Sequence, residues 1–126
     1  MAKYIDGFVL VVPKGKEDEY KKMAEEGRDS WMRHGALQYF ECQGEDLRQQ
    51  EMGEEKSRSF KDMANAGDDE NVWFSLIVFE SRQHRDEVNK KVMDEMSETY
   101  KDATDFSMPA DMTKMAYGGF EVAVEG

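Results

Sequence analysis

The stretch "VWFSLIVFE", Val72–Glu80, is apolar at every position except Ser75 and Glu80, and its reading decides the fold. A strand with one wet face alternates apolar and polar side chains. Here Val72, Phe74, Leu76 and Val78 point one way while Trp73, Ile77 and Phe79 point the other, so the run reads as a central strand with both faces buried. "YIDGFVLVV", Tyr4–Val12, repeats the pattern: Phe8, Leu10 and Val12 oppose Ile5, Val9 and Val11, and Pro13-Lys14-Gly15 closes the run. "KMAYGGFEVAVE", Lys114–Glu125, reads as the last strand, with Met115, Tyr117 and Ala123 opposed to Ala116, Phe120, Val122 and Val124. "ALQYFECQG", Ala36–Gly44, is shorter and more polar, as an edge strand is.

Two helices separate these strands. From about Lys16, the residues Tyr20, Met23, Ala24, Gly27, Trp31 and His34 recur at the spacing of one helical face, and Gly35 supplies the stop. "SRQHRDEVNKKVM", Ser81–Met93, opens the second helix with Ser81 as its cap. Its apolar stripe is His84, Val88, Val92 and Met96, while Asp86 and Glu87 are spaced to pair with Lys90 and Lys91. Glu45–Asn71 is polar, with turn signals at Gly53 and Gly67, and reads as a long, partly ordered connection. Ser97–Thr113 reads as fraying helix and loop, with Pro109 barring helix continuation.

The resulting order, β-α-β-β-α-β, predicts one α+β domain over residues 1–126 with the ferredoxin-like arrangement. Two helices cover only one face of a four-stranded sheet, and these strands are apolar on both. A bare face of that size exceeds what soluble monomers tolerate. The economical cover is a second copy of the chain: a homodimer with its sheets face to face, a dimeric α+β barrel enclosing a ligand cavity.

At 126 residues the chain suffices for one core. A formal charge of −11, from 28 acidic against 17 basic residues, repels phosphate backbones and anionic lipid, so neither nucleic acid nor membrane is expected as a partner. The single cysteine, Cys42, excludes an internal disulfide and a thiolate zinc site, and with the broken N-terminal apolar run it points to the cytoplasm.

Four blocks, "YIDGFVLVVP" from Tyr4, "WMRHGALQYFECQGED" from Trp31, "SRQHRDEVNKKVM" from Ser81 and "MAYGGFEV" from Met115, resemble the DUF1428 family of small bacterial proteins. The resemblance implies the dimeric α+β barrel and brings no established biochemical role. The chain departs from the family pattern at Glu80, where proline is common, and at Ala110, where an aromatic is common.

Candidate chemistry is sparse. His34 and His84 stand at the two helix ends that this topology places together, as an acid/base or metal-ligating pair on one reading. On the other, His34 satisfies helix carbonyls and His84 packs, neutral and structural, with Arg82 and Arg85 held outward in solvent. No metal spacing is present, and no cofactor or metal is expected. Asp6 and Gly7, with Tyr117, Gly118 and Gly119 on the neighbouring strand, either hollow a pocket with polar ends or let the sheet bend. Tyr39, Trp73 and Trp31 line an aromatic pocket or fill the core, and Cys42 reads as a buried, inert thiol.

The sequence therefore predicts a homodimer that binds a small apolar or aromatic molecule in its barrel through Asp6, His34, Tyr39, Trp73, His84 and Tyr117, with catalytic residues unassigned. The alternatives are a cofactor-independent monooxygenase or isomerase on a small organic substrate, which the barrel fold permits, and a structural or interaction role.

Overall fold

The computed structural model describes residues 2–102 and 107–126. Strand β1 (Tyr4–Pro13) leads through a single 3-10 turn into helix α1 (Glu17–Arg33), followed by β2 (Gln38–Gln43). Strands β3 (Glu51–Met52) and β4 (Glu55–Lys56) and helix α2 (Phe60–Met63) precede β5 (Glu70–Phe79), helix α3 (Arg82–Thr99) and β6 (Ala116–Glu121). The main sheet is antiparallel throughout, in the order β2-β5-β1-β6, so the apolar Val72–Phe79 run is central and the more polar β2 is an edge.

Strands β1 and β5 pair over their whole lengths, from Tyr4 opposite Phe79 to Pro13 opposite Glu70. That register puts Phe8, Leu10, Val12, Trp73, Ile77 and Phe79 on the face that α1 and α3 cover. Leu10, Val12 and Trp73 pack with Tyr20 and Ala24 of α1, and Ile77 and Phe79 pack with Val88 and Val92 of α3. The predicted stripe thus reaches the core through Val88 and Val92, with His84 and Met96 half-buried beside them. Helix α1 begins on Glu17, Asp18 and Glu19, which suit the positive end of the helix dipole. It stops at Gly35, whose φ of 113° any side chain would strain. Helix α3 is capped by Ser81, whose Oγ accepts the His84 amide at 3.1 Å.

Several expectations need correction. The Glu45–Asn71 connection is more ordered than its polarity implied: β3 and β4 form a hairpin at Gly53, with φ 68°, and α2 is capped by Ser59. Helix α3 runs to Thr99, past the expected fraying point, and the rest of that expected loop includes residues 103–106, outside those described. Strand β6 is shorter than Lys114–Glu125 because a 3-10 turn over Met112–Lys114 precedes it. Asp86 and Glu87 do not pair with Lys90 and Lys91. Asp86 takes Arg85 at 2.7 Å, and Lys90 pairs with Asp94 at 2.9 Å.

The second sheet face is not buried within the chain, because both long helices pack on the other. Val11 and Val72 are covered there by Ala64, Leu47 and Ala66. Beyond them Phe40, Phe74 and Phe120 are 44 %, 41 % and 61 % exposed. Cys42 lies on this same face and is exposed, contrary to the expected buried thiol, since the register sets it beside Phe74. Among the described residues no helix is long and apolar enough to cross a membrane.

Phe79 is wholly buried between the sheet and α3. Phe79→Ala is expected to lower the unfolding free energy by about 3 to 5 kcal/mol, read from urea denaturation, since it removes a ring that nothing nearby can replace.

Candidate functional site

A cavity of about 740 Å³ lies between α1, α3 and the helix-covered face of the sheet. It exists because α1 presents the small residues Ala24, Gly27 and Ser30 inward at its middle. Leu10, Ile77, Met23, Met96 and Met115 make an apolar wall, and Phe8, Trp31 and Tyr39 add aromatic faces.

Glu26, Glu41 and Glu95 also line the cavity, and Glu41 gathers the hydroxyls at the sheet end. Glu41 on β2 accepts hydrogen bonds from Tyr20 Oη at 2.9 Å, Tyr39 Oη at 2.9 Å and Ser75 Oγ at 2.6 Å. Three elements supply these hydroxyls: Tyr20 comes from α1, Tyr39 from β2 and Ser75 from β5. Burial pushes both phenols well above the ordinary tyrosine range, and the charge of Glu41 and its hydrogen bonds push them further. Gly27 leaves room for the cluster: a β-carbon there would stand 3.2 Å from Tyr39 Oη and would make the phenol give by a few tenths of an ångström.

A second polar group is sealed under α3. Asp6, 1 % exposed on β1, accepts from Arg85 Nη1 at 2.6 Å and Asn89 Nδ2 at 3.2 Å. Asn89 Oδ1 in turn accepts from Trp31 Nε1 at 2.9 Å, which ties α1 to α3. Arg85 also donates to Tyr117 Oη at 3.1 Å and lies 4.8 Å over the Tyr4 ring. Its side chain is 12 % exposed, so it is not the outward, solvated arginine that its helix position predicted. Burial alone would loosen the Arg85 proton, yet hydrogen bonds to Asp86 and Asp6 hold it more firmly than in water. Burial, then the charge of Asp6, raises the Tyr117 phenol.

The two histidines have separate partners. His34 Nε2 stands 2.6 Å from Glu95 Oε2, and that carboxylate also takes Ser30 Oγ at 2.8 Å and the Arg33 guanidinium. The Ser30 hydrogen bond first, then His34 and Arg33, draw the Glu95 carboxyl down to about 2. His84 Nδ1 accepts the Glu80 amide at 3.0 Å, so that nitrogen carries no proton here, and the ring meets Phe79 edge-on. Among the described residues no group of three metal-ligating side chains forms.

The strand glycines serve aromatic rings. Gly7 and Gly118 sit on the open face, where added β-carbons would stand 3.3 and 3.4 Å from the Phe120 ring. Gly119 lies on the other face against the Tyr4 side chain. Asp6 and Tyr117 therefore point away from the hollow that Gly7 and Gly118 leave.

The profile described as a protein of unknown function, DUF1428, matches residues 3–112. The chain belongs to the DUF1428 family. It is 36 % identical over 123 residues to the uncharacterized protein YbaA of Escherichia coli K12, covering 98 % of each chain, and equally similar to that of Shigella flexneri. A solved dimeric ferredoxin-like protein from an uncultured marine organism matches at a TM-score of 0.60 and 7 % identity, covering all of both chains. The fold of this DUF1428 member is thus ferredoxin-like α+β.

Within this DUF1428 chain the six sequence-predicted site residues do not converge. Tyr39 lines the cavity. Asp6 and Tyr117 meet at Arg85, His34 and His84 occupy separate sites, and Trp73 is buried behind Tyr20 with its Nε1 on Glu17 at 2.8 Å. Glu41, Tyr20 and Ser75 were missed. One signal for them existed: Ser75 is the lone polar residue of the apolar run Val72–Phe79, and it is 3 % exposed.

Asp6→Ala leaves Arg85 without its buried partner and is expected to cost about 3 kcal/mol or more in urea unfolding. The stability that Glu95 supplies is full above the ordinary carboxyl value of 4.5 and disappears as pH falls towards about 2, because its folded value is the depressed one. Glu95→Gln is expected to flatten the fall in melting temperature over that window relative to wild type.

Proposed function

We propose that this protein is a cytoplasmic homodimer in which each chain binds one small, largely apolar organic molecule between its helices and its sheet. The observation that carries the reading is the cavity of about 740 Å³, inside the size range of small-molecule sites. An apolar wall with a small number of polar groups is the usual make-up of such sites: the wall supplies affinity and the polar groups fix orientation.

The dimer rests on the open sheet face. Phe40, Phe74 and Phe120 are exposed there, with Leu76 between them, on a face that neither long helix reaches. Packing this face against its copy gives the dimeric α+β barrel. The cavity lies on the opposite, helix-covered side of the sheet from Phe40, Phe74 and Phe120, so the ligand is assigned to the interior of each chain and not to the barrel centre. The acidic surface disfavours nucleic acid and anionic membrane as partners.

Light scattering at micromolar concentration is expected to give twice the chain mass of 14.6 kDa. Phe74→Asp, which would bury an unpaired charge between the sheets, is expected to give the single-chain mass. A wild-type protein at 14.6 kDa would remove the dimer from the reading. In an NMR titration with neutral 4-phenylbutan-1-ol, amide shifts are expected around Gly27, Tyr39 and Met96, and Ala24→Leu, which fills the cavity, is expected to abolish them.

A further inference from the structure

We propose that the cavity selects a cationic ligand, an organic amine with an apolar or aromatic body, whose ammonium group docks on Glu41. The proposal rests on the binding reading above and gives it a substrate class. It follows from counting protons at the Glu41 cluster. Tyr20, Tyr39 and Ser75 each carry one hydroxyl hydrogen, and all three are committed to Glu41.

Two of these hydrogens go to Oε2 and one to Oε1. A carboxylate has about four lone-pair positions, so one remains open. Lone pairs on the two phenol oxygens and on Ser75 Oγ remain as well. The cluster thus offers acceptors and no donor. At this cluster a ligand carboxylate or phosphate would find no hydroxyl hydrogen to accept and a negative charge to repel it, whereas an N–H donor finds several partners.

Glu41 also lacks a protein cation. Among the described residues no ion pair reaches it. Lys21 and Arg28 border it from a shallow outer groove, but Arg28 is paired with Asp29 at 3.0 Å. Arg33, at the cavity edge, is engaged by Glu95. A half-buried carboxylate steadied by three hydroxyls but paired with no cationic side chain leaves the countercharge to the ligand. The faces of Trp31, Tyr39 and Phe8 on the same cavity favour a cation further.

The test uses three matched probes, 4-phenylbutylamine, 4-phenylbutan-1-ol and 4-phenylbutanoate, titrated into the wild-type protein and followed by NMR at the cavity residues. The amine is expected to bind about tenfold or more tightly than the alcohol, through a charge-assisted hydrogen bond, and the carboxylate most weakly. Glu41→Gln keeps the size of the side chain and is expected to erase the advantage of the amine. Tyr39→Phe keeps the charge, frees another lone pair and is expected to preserve it. A carboxylate that binds as well as the amine, or an amine no better than the alcohol, overturns the cationic class while leaving cavity binding intact. Failure of all three probes to bind overturns both readings. Loss of the amine's advantage in Tyr39→Phe also counts against Glu41 as the docking group.

Discussion

Asp6 is the constraint on which the layering of this protein depends. A carboxylate in the middle of an apolar strand, 1 % exposed, is tolerable only if charge and hydrogen bonds reach it inside the protein. Arg85 and Asn89 supply them from one face of α3, four residues apart, so the helix can sit over β1 at only one rotation about its axis. Asn89 then fixes the Trp31 indole, and through it α1. The apolar stripe alone would permit α3 to slide or roll by small amounts. The buried pair makes such displacements costly, because each leaves a charge unpaired.

That pinning has a consequence for the cavity. With α1 and α3 tied at Trp31–Asn89 and at Ser30–Glu95, small residues on the inner face of α1 cannot be compensated by collapse of one helix onto the other. The space over Ser75 and Ile77 stays open. The same sheet that floors this space presents Phe40, Phe74 and Phe120 on its far side, so one layer of strands serves two surfaces of different chemistry. The helix-covered side carries hydrogen-bonded polar clusters around Glu41 and Asp6, and the far side presents mostly apolar side chains.

Much of the fold was legible because period and propensity are local. The double-sided apolarity of Val72–Phe79 marks a central strand whatever surrounds it, and Gly35 and Ser81 mark helix ends through backbone conformation and capping. The hairpin and short helix within residues 45–71 escaped notice because their side chains are mostly polar, and their order comes from backbone turns and from Ala64 packing on Val72. Arg85 was misread for a related reason. A charged residue on an amphipathic helix is ordinarily solvated, and its partner Asp6 stands 79 residues away in the chain.

The sequence by itself determined the α+β class, the central strands, the helix boundaries at Gly35 and Ser81, and the two-sided character of the sheet, since each depends on neighbours within a few residues. Tertiary structure alone decided which polar residues act together. Glu41 meets Tyr20 from 21 residues away and Ser75 from 34, and nothing in the local pattern of any of the three announces the others. Their meeting depends on strand order, on register and on a glycine that lets Tyr39 reach beneath a helix. Those are properties of the packed chain, in which a one-residue slip would turn Glu41 and Ser75 to the opposite face of the sheet.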